Sequence, residues 1–121
     1  MSALAEIRAL LNDYLDALYC SDAVLLGRVM HPKAIYASGD EQPLLYRTMD
    51  EYLPIVAARP SPQSRKEKRH DHIGSIDIAG ANTARAQVRC AIGSRRFVDY
   101  LTMVRDEGRW QIISKVFQIT E

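Results

Sequence analysis

The apolar positions in the first quarter of the chain recur at helical spacing. Between residues 2 and 19 they fall three and four positions apart, which predicts an amphipathic helix with one buried face. This stripe consists of Leu4, Ile7, Leu11, Tyr14, Leu15 and Leu18. Ser21 and Asp22 offer N-cap oxygens for a second, shorter helix, which must end before Pro32. The two helices should form a tight hairpin.

A third helix is predicted by the capping-box spacing of Thr48 and Glu51. Pro54 lies beyond the first turn and deletes a helical hydrogen bond, so we expect a kink or a start nearer Asp50. Two short strands precede this helix, over 33–38 and 44–47, with a turn between them.

The second half of the chain alternates with a period of two residues, which is typical of strands that are buried on one face. It predicts four long strands over 69–78, 83–92, 96–105 and 109–119, with a bulge at Gly74 in the first of them. The segment 83–92 alternates most clearly: Ala84, Ala86, Val88, Cys90 and Ile92 share one face, and Arg85, Gln87 and Arg89 the other. The pattern therefore predicts an α+β domain over residues 1–121, with three N-terminal helices on one face of an antiparallel sheet.

Composition narrows the class of protein without naming a function. The chain has 121 residues, 47% of them apolar, and 16 Lys and Arg against 15 Asp and Glu give a net charge of +1. This size and balance indicate one globular domain and argue against a protein that coats nucleic acid or an anionic membrane. Cys20 and Cys90 are interpreted as buried thiols in a reducing cytoplasm. Charged residues among the first twenty exclude a signal peptide, so we expect a soluble cytoplasmic protein.

Several segments together resemble the nuclear transport factor 2-like superfamily. They are Phe-Val-Asp-Tyr-Leu at 97–101, Asp-Glu-Gly-Arg-Trp-Gln-Ile at 106–112, Lys-Val-Phe at 115–117, His-Pro-Lys-Ala at 31–34 and the helix entry at 47–51. The superfamily includes SnoaL-like polyketide cyclases and ketosteroid isomerases, and the chain is most similar to the bacterial group called putative lumazine-binding proteins. The resemblance covers nearly the whole chain.

This resemblance implies a cone-shaped fold, in which a strongly curved, mixed but mostly antiparallel sheet wraps the helices around an apolar cavity. It also implies a homodimer that pairs through the outer face of the sheet. Members of the superfamily isomerise, cyclise, dehydrate or simply bind, so the fold leaves the chemistry open.

Comparison with the ketosteroid isomerases places individual residues. Tyr14 falls where those enzymes keep the tyrosine of their oxyanion hole. Their aspartate base falls near Ser38, whose hydroxyl cannot accept a carbon-bound proton at neutral pH without activation. Their second oxyanion donor falls near Leu101, and Asp99 lies two residues earlier on the same strand face.

Three residues are the first candidates for a site. Asp99 lies in a mostly apolar strand and needs either a partner or a raised pKa, both typical of a lined cavity. The structural alternative is an ion pair with Arg89 or Lys115. Lys115, between apolar neighbours, is a second ligand-binding candidate, and Tyr14 is either a core residue or a polar contact of the cavity.

Two histidines complete the candidates. His72 shares a strand face with His70, but no third ligand completes a metal site, so we predict neither a metal nor a cofactor. His72 alone could line the cavity as an acid/base, since histidine titrates near neutral pH. His31 is either the end of a helix or a ligand contact.

A basic loop spans 59–69 and is opposed nearby only by Glu67 and Asp71. Its cations are Arg59, Arg65, Lys66, Lys68 and Arg69. It is either a solvated loop that blocks edge pairing or a dock for an anionic substrate tail or partner.

We therefore predict a domain that binds a small, mostly apolar organic molecule in a cavity of more than about 300 Å³. Tyr14, Asp99 and His72 would be the main polar contacts, and neither nucleic acid nor membrane is a predicted partner. One alternative is a cofactor-independent isomerase, cyclase or dehydratase, in which Asp99 or His72 moves a proton and Tyr14 stabilises an oxyanion. Another is a dimeric protein-interaction module.

Overall fold

The computed structural model describes residues 2–120, which form three helices and six strands. The helices are α1 (Ala3–Cys20), α2 (Ala23–Val29) and α3 (Met49–Ala58). The strands are β1 (Met30–Ser38), β2 (Leu45–Thr48), β3 (His72–Ala79), β4 (Thr83–Ile92), β5 (Arg95–Asp106) and β6 (Arg109–Ile119). The predicted α+β class, the three N-terminal helices and the four-stranded meander are confirmed.

The six strands form one mixed sheet in the order β2-β1-β6-β5-β4-β3. Only the pairing of β1 with β6 is parallel within residues 2–120, and the sheet is otherwise antiparallel. The parallel pair arises because the chain passes through β2, α3 and the meander before β6 returns beside β1. This return places the last strand in the middle of the sheet, under the helices.

The helices begin where side-chain caps allow. The Asp22 carboxylate accepts a hydrogen bond from the Leu25 amide at 3.0 Å, and Glu51 accepts one from the Thr48 amide, also at 3.0 Å. Both interactions satisfy amides that have no partner within the helix. Helix α3 begins at Met49 and includes Pro54, so the alternative of a later start is wrong.

Strand β3 differs from its prediction at its start. It begins at His72 rather than at residue 69, and Arg69 lies in the preceding loop, where it forms ion pairs with Asp16 and Asp71. The predicted bulge is confirmed by a register shift between Ile73 and Ile76. A side chain on Gly74 would come within 3.1 Å of the Gln87 carbonyl oxygen, so this close approach favours glycine.

The core lies between the helices and one face of the sheet, here called the inner face. Ala84, Ala86, Val88 and Cys90 are buried on it, whereas Arg85 and Arg89 of the same strand are exposed, as the alternation predicts. Helix α1 buries the predicted stripe except at its first position, since Leu4 is 43% exposed and Leu11 is 0% exposed. No helix within residues 2–120 is both long enough and apolar enough to cross a membrane.

Truncating Leu11 should therefore cost far more than truncating Leu4 on the same helix. Leu11→Ala removes buried methyl groups and leaves a cavity, so it should lower the free energy of unfolding by about 2–5 kcal/mol. Leu4→Ala is the same chemical change at an exposed position and should cost less than about 1 kcal/mol. Urea unfolding of both variants measures the difference, and equal losses would contradict this placement of α1.

Candidate functional site

Tyr14, Asp99 and Lys115 meet in the interior, and they are called the buried cluster below. Asp99 stands opposite Phe117 and Lys115 opposite Leu101 in the β5–β6 ladder, so both charged side chains point to the inner face. The Tyr14 hydroxyl, from α1, donates a hydrogen bond of 2.6 Å to Asp99 Oδ2. Lys115 Nζ lies 3.8 Å from the same oxygen. The structure thus brings together three of the five residues that the sequence singled out.

Asp99 forms its ion pair with Lys115 and not with Arg89, the two alternatives that the sequence left open. Arg89 is exposed on the outer face, whereas Lys115 is 5% and Asp99 0% exposed. Asp99 Oδ1 is also buried and has no hydrogen-bond partner among the described residues. A buried carboxylate is tolerated only when it is paired, so Lys115 and Tyr14 together make its position possible.

The protonation states in the buried cluster follow from its surroundings. Burial, reinforced by the charge of Asp99, raises the pKa of Tyr14 well above its ordinary value, so the phenol is neutral. Burial is the largest single effect and lowers the pKa of Lys115, but the Asp99 carboxylate, together with smaller contributions from neighbouring groups, outweighs it, so the net pKa is raised. Lys115 is therefore a fixed ammonium. The only O–H of Tyr14 is already used in the hydrogen bond to Asp99, so the tyrosine has no donor left for the oxyanion of a substrate.

An aromatic wall lines the cavity beside the ammonium group of Lys115. It consists of Tyr36, Tyr52, Phe97 and Phe117. The Tyr36 and Tyr52 rings stack with centroids 4.1 Å apart, and Phe117 lies 4.9 Å from Tyr36. Lys115 Nζ is 5.4 Å from the Tyr36 centroid, 5.7 Å from Tyr52 and 5.5 Å from Phe117, within the range of cation–π attraction.

A cavity of about 230 Å³ opens beside the aromatic wall and Lys115. Ser38 lies in its lining, at the position matched to the base of the ketosteroid isomerases. Tyr14 and Asp99 lie behind the lining, so Lys115 is the member of the buried cluster that lines the cavity. Cys90, another lining residue, donates a long hydrogen bond of 3.9 Å from its thiol to Asp99 Oδ2. The volume is below the roughly 300 Å³ that the sequence led us to expect, which restricts any occupant to a small molecule.

Three arginines that the sequence analysis did not select as site residues also line the cavity. They are Arg47 on β2, Arg59 at the end of α3 and Arg95 at the start of β5. No periodic pattern marks them, because each lies at or near the end of an element. Arg59 had been grouped with the basic loop, whose Arg65 and Arg69 instead form ion pairs with neighbouring carboxylates.

The two histidines lie elsewhere. His72 pairs with Arg89 in the β3–β4 ladder, is exposed, and faces the outer side of the sheet, opposite to Asp99. His31 Nε2 contacts Asp106 Oδ2 at 2.9 Å, away from the cavity lining. Neither joins the buried cluster, and an acid/base mechanism that needs Asp99 and His72 at one substrate atom has no geometric basis here. Within residues 2–120, no three His, Cys, Asp or Glu side chains form a metal-binding group.

A second depression of about 400 Å³ lies between α1, α2 and the β5–β6 turn. It is larger but more open, and Leu10, Val29 and Trp110 form part of its lining. Glu6 and Asp13 are balanced there by Arg28 and Arg109. None of the predicted site residues reaches it. A further depression of about 350 Å³ is lined by His72 but by no member of the buried cluster, so the smaller cavity, which Lys115 lines, is the candidate site.

Breaking the buried pair on one side should be costly. Asp99→Asn leaves Lys115 charged and buried without a counterion, so the free energy of unfolding should fall by about 3–5 kcal/mol. Adding Lys115→Met should restore most of this loss, because the uncompensated charge is gone. Asp77→Asn in the exposed Asp77–Arg85 pair, at 3.0 Å, should cost under about 1 kcal/mol. A double-mutant cycle by urea unfolding tests this, and a double variant less stable than Asp99→Asn alone would contradict the pairing.

The protein should lose stability in mild alkali. Burial, with the Asp99 charge, raises the pKa of the Cys90 thiol from 9.0 to about 12. Above pH 9 the unfolded chain has therefore released a proton that the folded chain keeps, so stability falls by about 1.4 kcal/mol per pH unit for this group. The raised pKa values of Tyr14 and Lys115 add losses of the same sign above about pH 10.

Urea unfolding between pH 8 and 10 checks this slope. Cys90→Ala should flatten it between about pH 9 and 10, where the thiol contributes most. Val88→Ala truncates a neighbouring inner-face side chain without removing a titratable group, so it should lower stability equally at each pH. A Cys90→Ala slope equal to that of the unaltered protein would show that this thiol is not the cause.

Comparison with known proteins places the chain in a family. The family model described as Putative lumazine-binding matches residues 2–118. A comparison with curated proteins found no match.

Solved structures show the same fold. An NTF-2 like protein of unknown function from Silicibacter pomeroyi is 27% identical, with 98% of this chain and 99% of that chain covered and a TM-score of 0.81. An NTF2-like protein of unknown function from Shewanella baltica is 20% identical, with 100% and 98% covered and a TM-score of 0.84.

A third similar structure has a more specific name. A ketosteroid isomerase-like protein from Erwinia carotovora atroseptica is 13% identical, with 98% of this chain and 96% of that chain covered and a TM-score of 0.76. At this identity the likeness concerns the fold alone. With the fold, the match over residues 2–118 and these neighbours in agreement, the chain belongs to the Putative lumazine-binding family of the nuclear transport factor 2-like superfamily.

Proposed function

We propose that this protein binds a small organic molecule in the cavity beside Lys115, and that binding rather than catalysis is its activity. The observation that carries the proposal is the combination of an aromatic wall with a cavity of about 230 Å³. Flat aromatic side chains offer a large apolar contact area with little conformational freedom to lose, which suits an apolar or aromatic ligand. The family description, which names binding and no reaction, agrees with this proposal.

The state of the buried cluster also favours binding over acid/base catalysis. A catalytic tyrosine must offer its proton to a developing oxyanion, but the Tyr14 hydroxyl is committed to Asp99 and is fully buried. A catalytic base must reach the substrate, but Asp99 lies behind the lining and is paired with Lys115. The cluster is better suited to support a cationic cavity wall.

The cavity volume limits the size of the ligand. A volume of about 230 Å³ lies below the roughly 300–1,000 Å³ typical of pockets for drug-sized ligands. It suits a molecule of one or two fused rings. The two-ring lumazine of the family description is one compound of suitable size to test.

Pairing of two chains through the outer face stays a prediction. Tyr100 is 58% and Val116 45% exposed there, and they stand opposite each other in the β5–β6 ladder. The proposed ligand site lies on the inner face and does not depend on this pairing.

Binding can be tested on the full chain with a panel of small flat probes. Lumazine, indole and 2-naphthol should include at least one compound that shifts the amide resonances of Tyr52 and Phe117, with a Kd of about 1 mM or tighter. Ile92→Trp places a large side chain in the lining and should abolish the shifts. Val24→Trp, at an exposed position of α2, is the matched control and should bind normally.

Two-dimensional amide NMR spectra provide both the readout and a check of folding. The proposal fails if no probe shifts the lining resonances at about 5 mM, or if a folded Ile92→Trp variant binds as well as the unaltered protein.

A further inference from the structure

The charges that line the cavity are strongly unbalanced. Its cations are Arg47, Arg59, Arg95 and Lys115, and its only carboxylate within residues 2–120 is that of Glu41. Lys115 is compensated from behind by Asp99. The three arginines form no ion pair with any carboxylate in the described part of the chain. The cavity therefore has a surplus of positive charge that the protein itself does not neutralise.

Arg59 shows where this surplus is focused. Its Nε and Nη2 atoms are both buried and have no hydrogen-bond partner among residues 2–120. These two nitrogens lie on the same edge of the planar guanidinium, where their N–H groups point in parallel. A carboxylate matches this edge with two parallel hydrogen bonds. Buried polar groups in folded proteins almost always have partners, so an unused pair of this geometry on the wall of a cavity is a candidate contact for a ligand.

The surroundings of Arg59 connect this edge to the aromatic wall. Arg59 follows the last residue of α3, the helix that supplies Tyr52 to the wall. Its positive charge acts on two other lining residues, Tyr36 and Cys90, and lowers the pKa of each against the larger effect of burial. The guanidinium edge and the aromatic faces therefore belong to the same cavity.

We propose that the ligand is an organic carboxylate with a flat apolar body, whose acid group binds the Nε–Nη2 edge of Arg59 while its body packs against the aromatic wall. Arg47 and Arg95 surround the acid with further positive charge. The inference rests on the proposed function, which it narrows from a small organic molecule to an organic anion. It replaces the mostly apolar ligand expected from sequence with an amphiphilic one.

Matched acids and amides test this directly, because they share shape but differ in charge. Benzoate and benzamide, and 2-naphthoate and 2-naphthamide, are titrated into the full chain at pH 7, with the amide resonances of the lining residues as the readout. At least one carboxylate should bind about tenfold or more tightly than its amide. Arg59→Gln should reduce that preference to about threefold or less while leaving amide binding unchanged.

Two further variants show whether the preference for carboxylates depends on the charge of Arg59, on its paired N–H groups, or on neither. Arg59→Lys keeps the charge but loses the paired edge, so it should retain only part of the preference. Arg85→Gln, on the exposed outer face, should leave the preference intact. A tenfold preference that persists in a folded Arg59→Gln variant would overturn the role of Arg59.

The outcomes separate this inference from the proposed function. If acid and amide bind equally well, the ligand class is wrong and small-molecule binding stands. If neither acids nor amides nor the neutral probes shift the lining resonances, both proposals are wrong.

Discussion

The burial of the Asp99 carboxylate is the constraint on which the rest of the arrangement depends. A charge that is 0% exposed would be prohibitively unstable alone, so its partners must arrive from other elements as the chain folds. Tyr14 arrives from α1 and Lys115 from β6, and both reach the same carboxylate oxygen. This shared oxygen fixes how the first helix lies across the middle of the sheet. If the contact in this place were apolar, α1 could shift further along the sheet without losing it.

The same pairing determines the character of the cavity. Because Asp99 stabilises the ammonium of Lys115, a permanent cation can stand at the boundary between the core and the cavity, beside three rings of the aromatic wall and the ring of Tyr14. Arg59 reaches the cavity from the end of α3 rather than from a central strand. Its Nε and Nη2 atoms are buried and have no hydrogen-bond partner among residues 2–120. Lys115 is thus neutralised by a carboxylate of the protein itself, whereas Arg59 is, among the described residues, free to bind a ligand. These two cations are the basis for proposing an organic acid as the ligand of a site with mainly aromatic walls.

The predictability of the site depended on whether a residue disturbed a regular pattern. Asp99 was found because a carboxylate interrupts an otherwise apolar strand, and Lys115 because it stands between apolar neighbours. His72 also sits in an alternating strand, but which face of β3 turns inward depends on its pairing with β4, and that pairing turns His72 outward. Arg47 and Arg95 escaped notice because the ends of elements carry no periodicity, and Arg59 was noticed only as one cation of the basic loop. Their convergence is a property of the folded sheet and of the α3 terminus.

The sequence by itself determined the class of fold, because helical and strand periodicities, caps and turns are local properties that each segment expresses on its own. It also indicated that Asp99 needs either a partner or a raised pKa, since a carboxylate in a mostly apolar strand is rarely buried alone. Only the tertiary structure decided that Tyr14, Asp99 and Lys115 are one another's partners, and that the cavity is smaller and more cationic than expected. These contacts and the charge of the cavity depend on strand order, on register and on how the ends of distant helices and strands come together, which are all set by long-range packing.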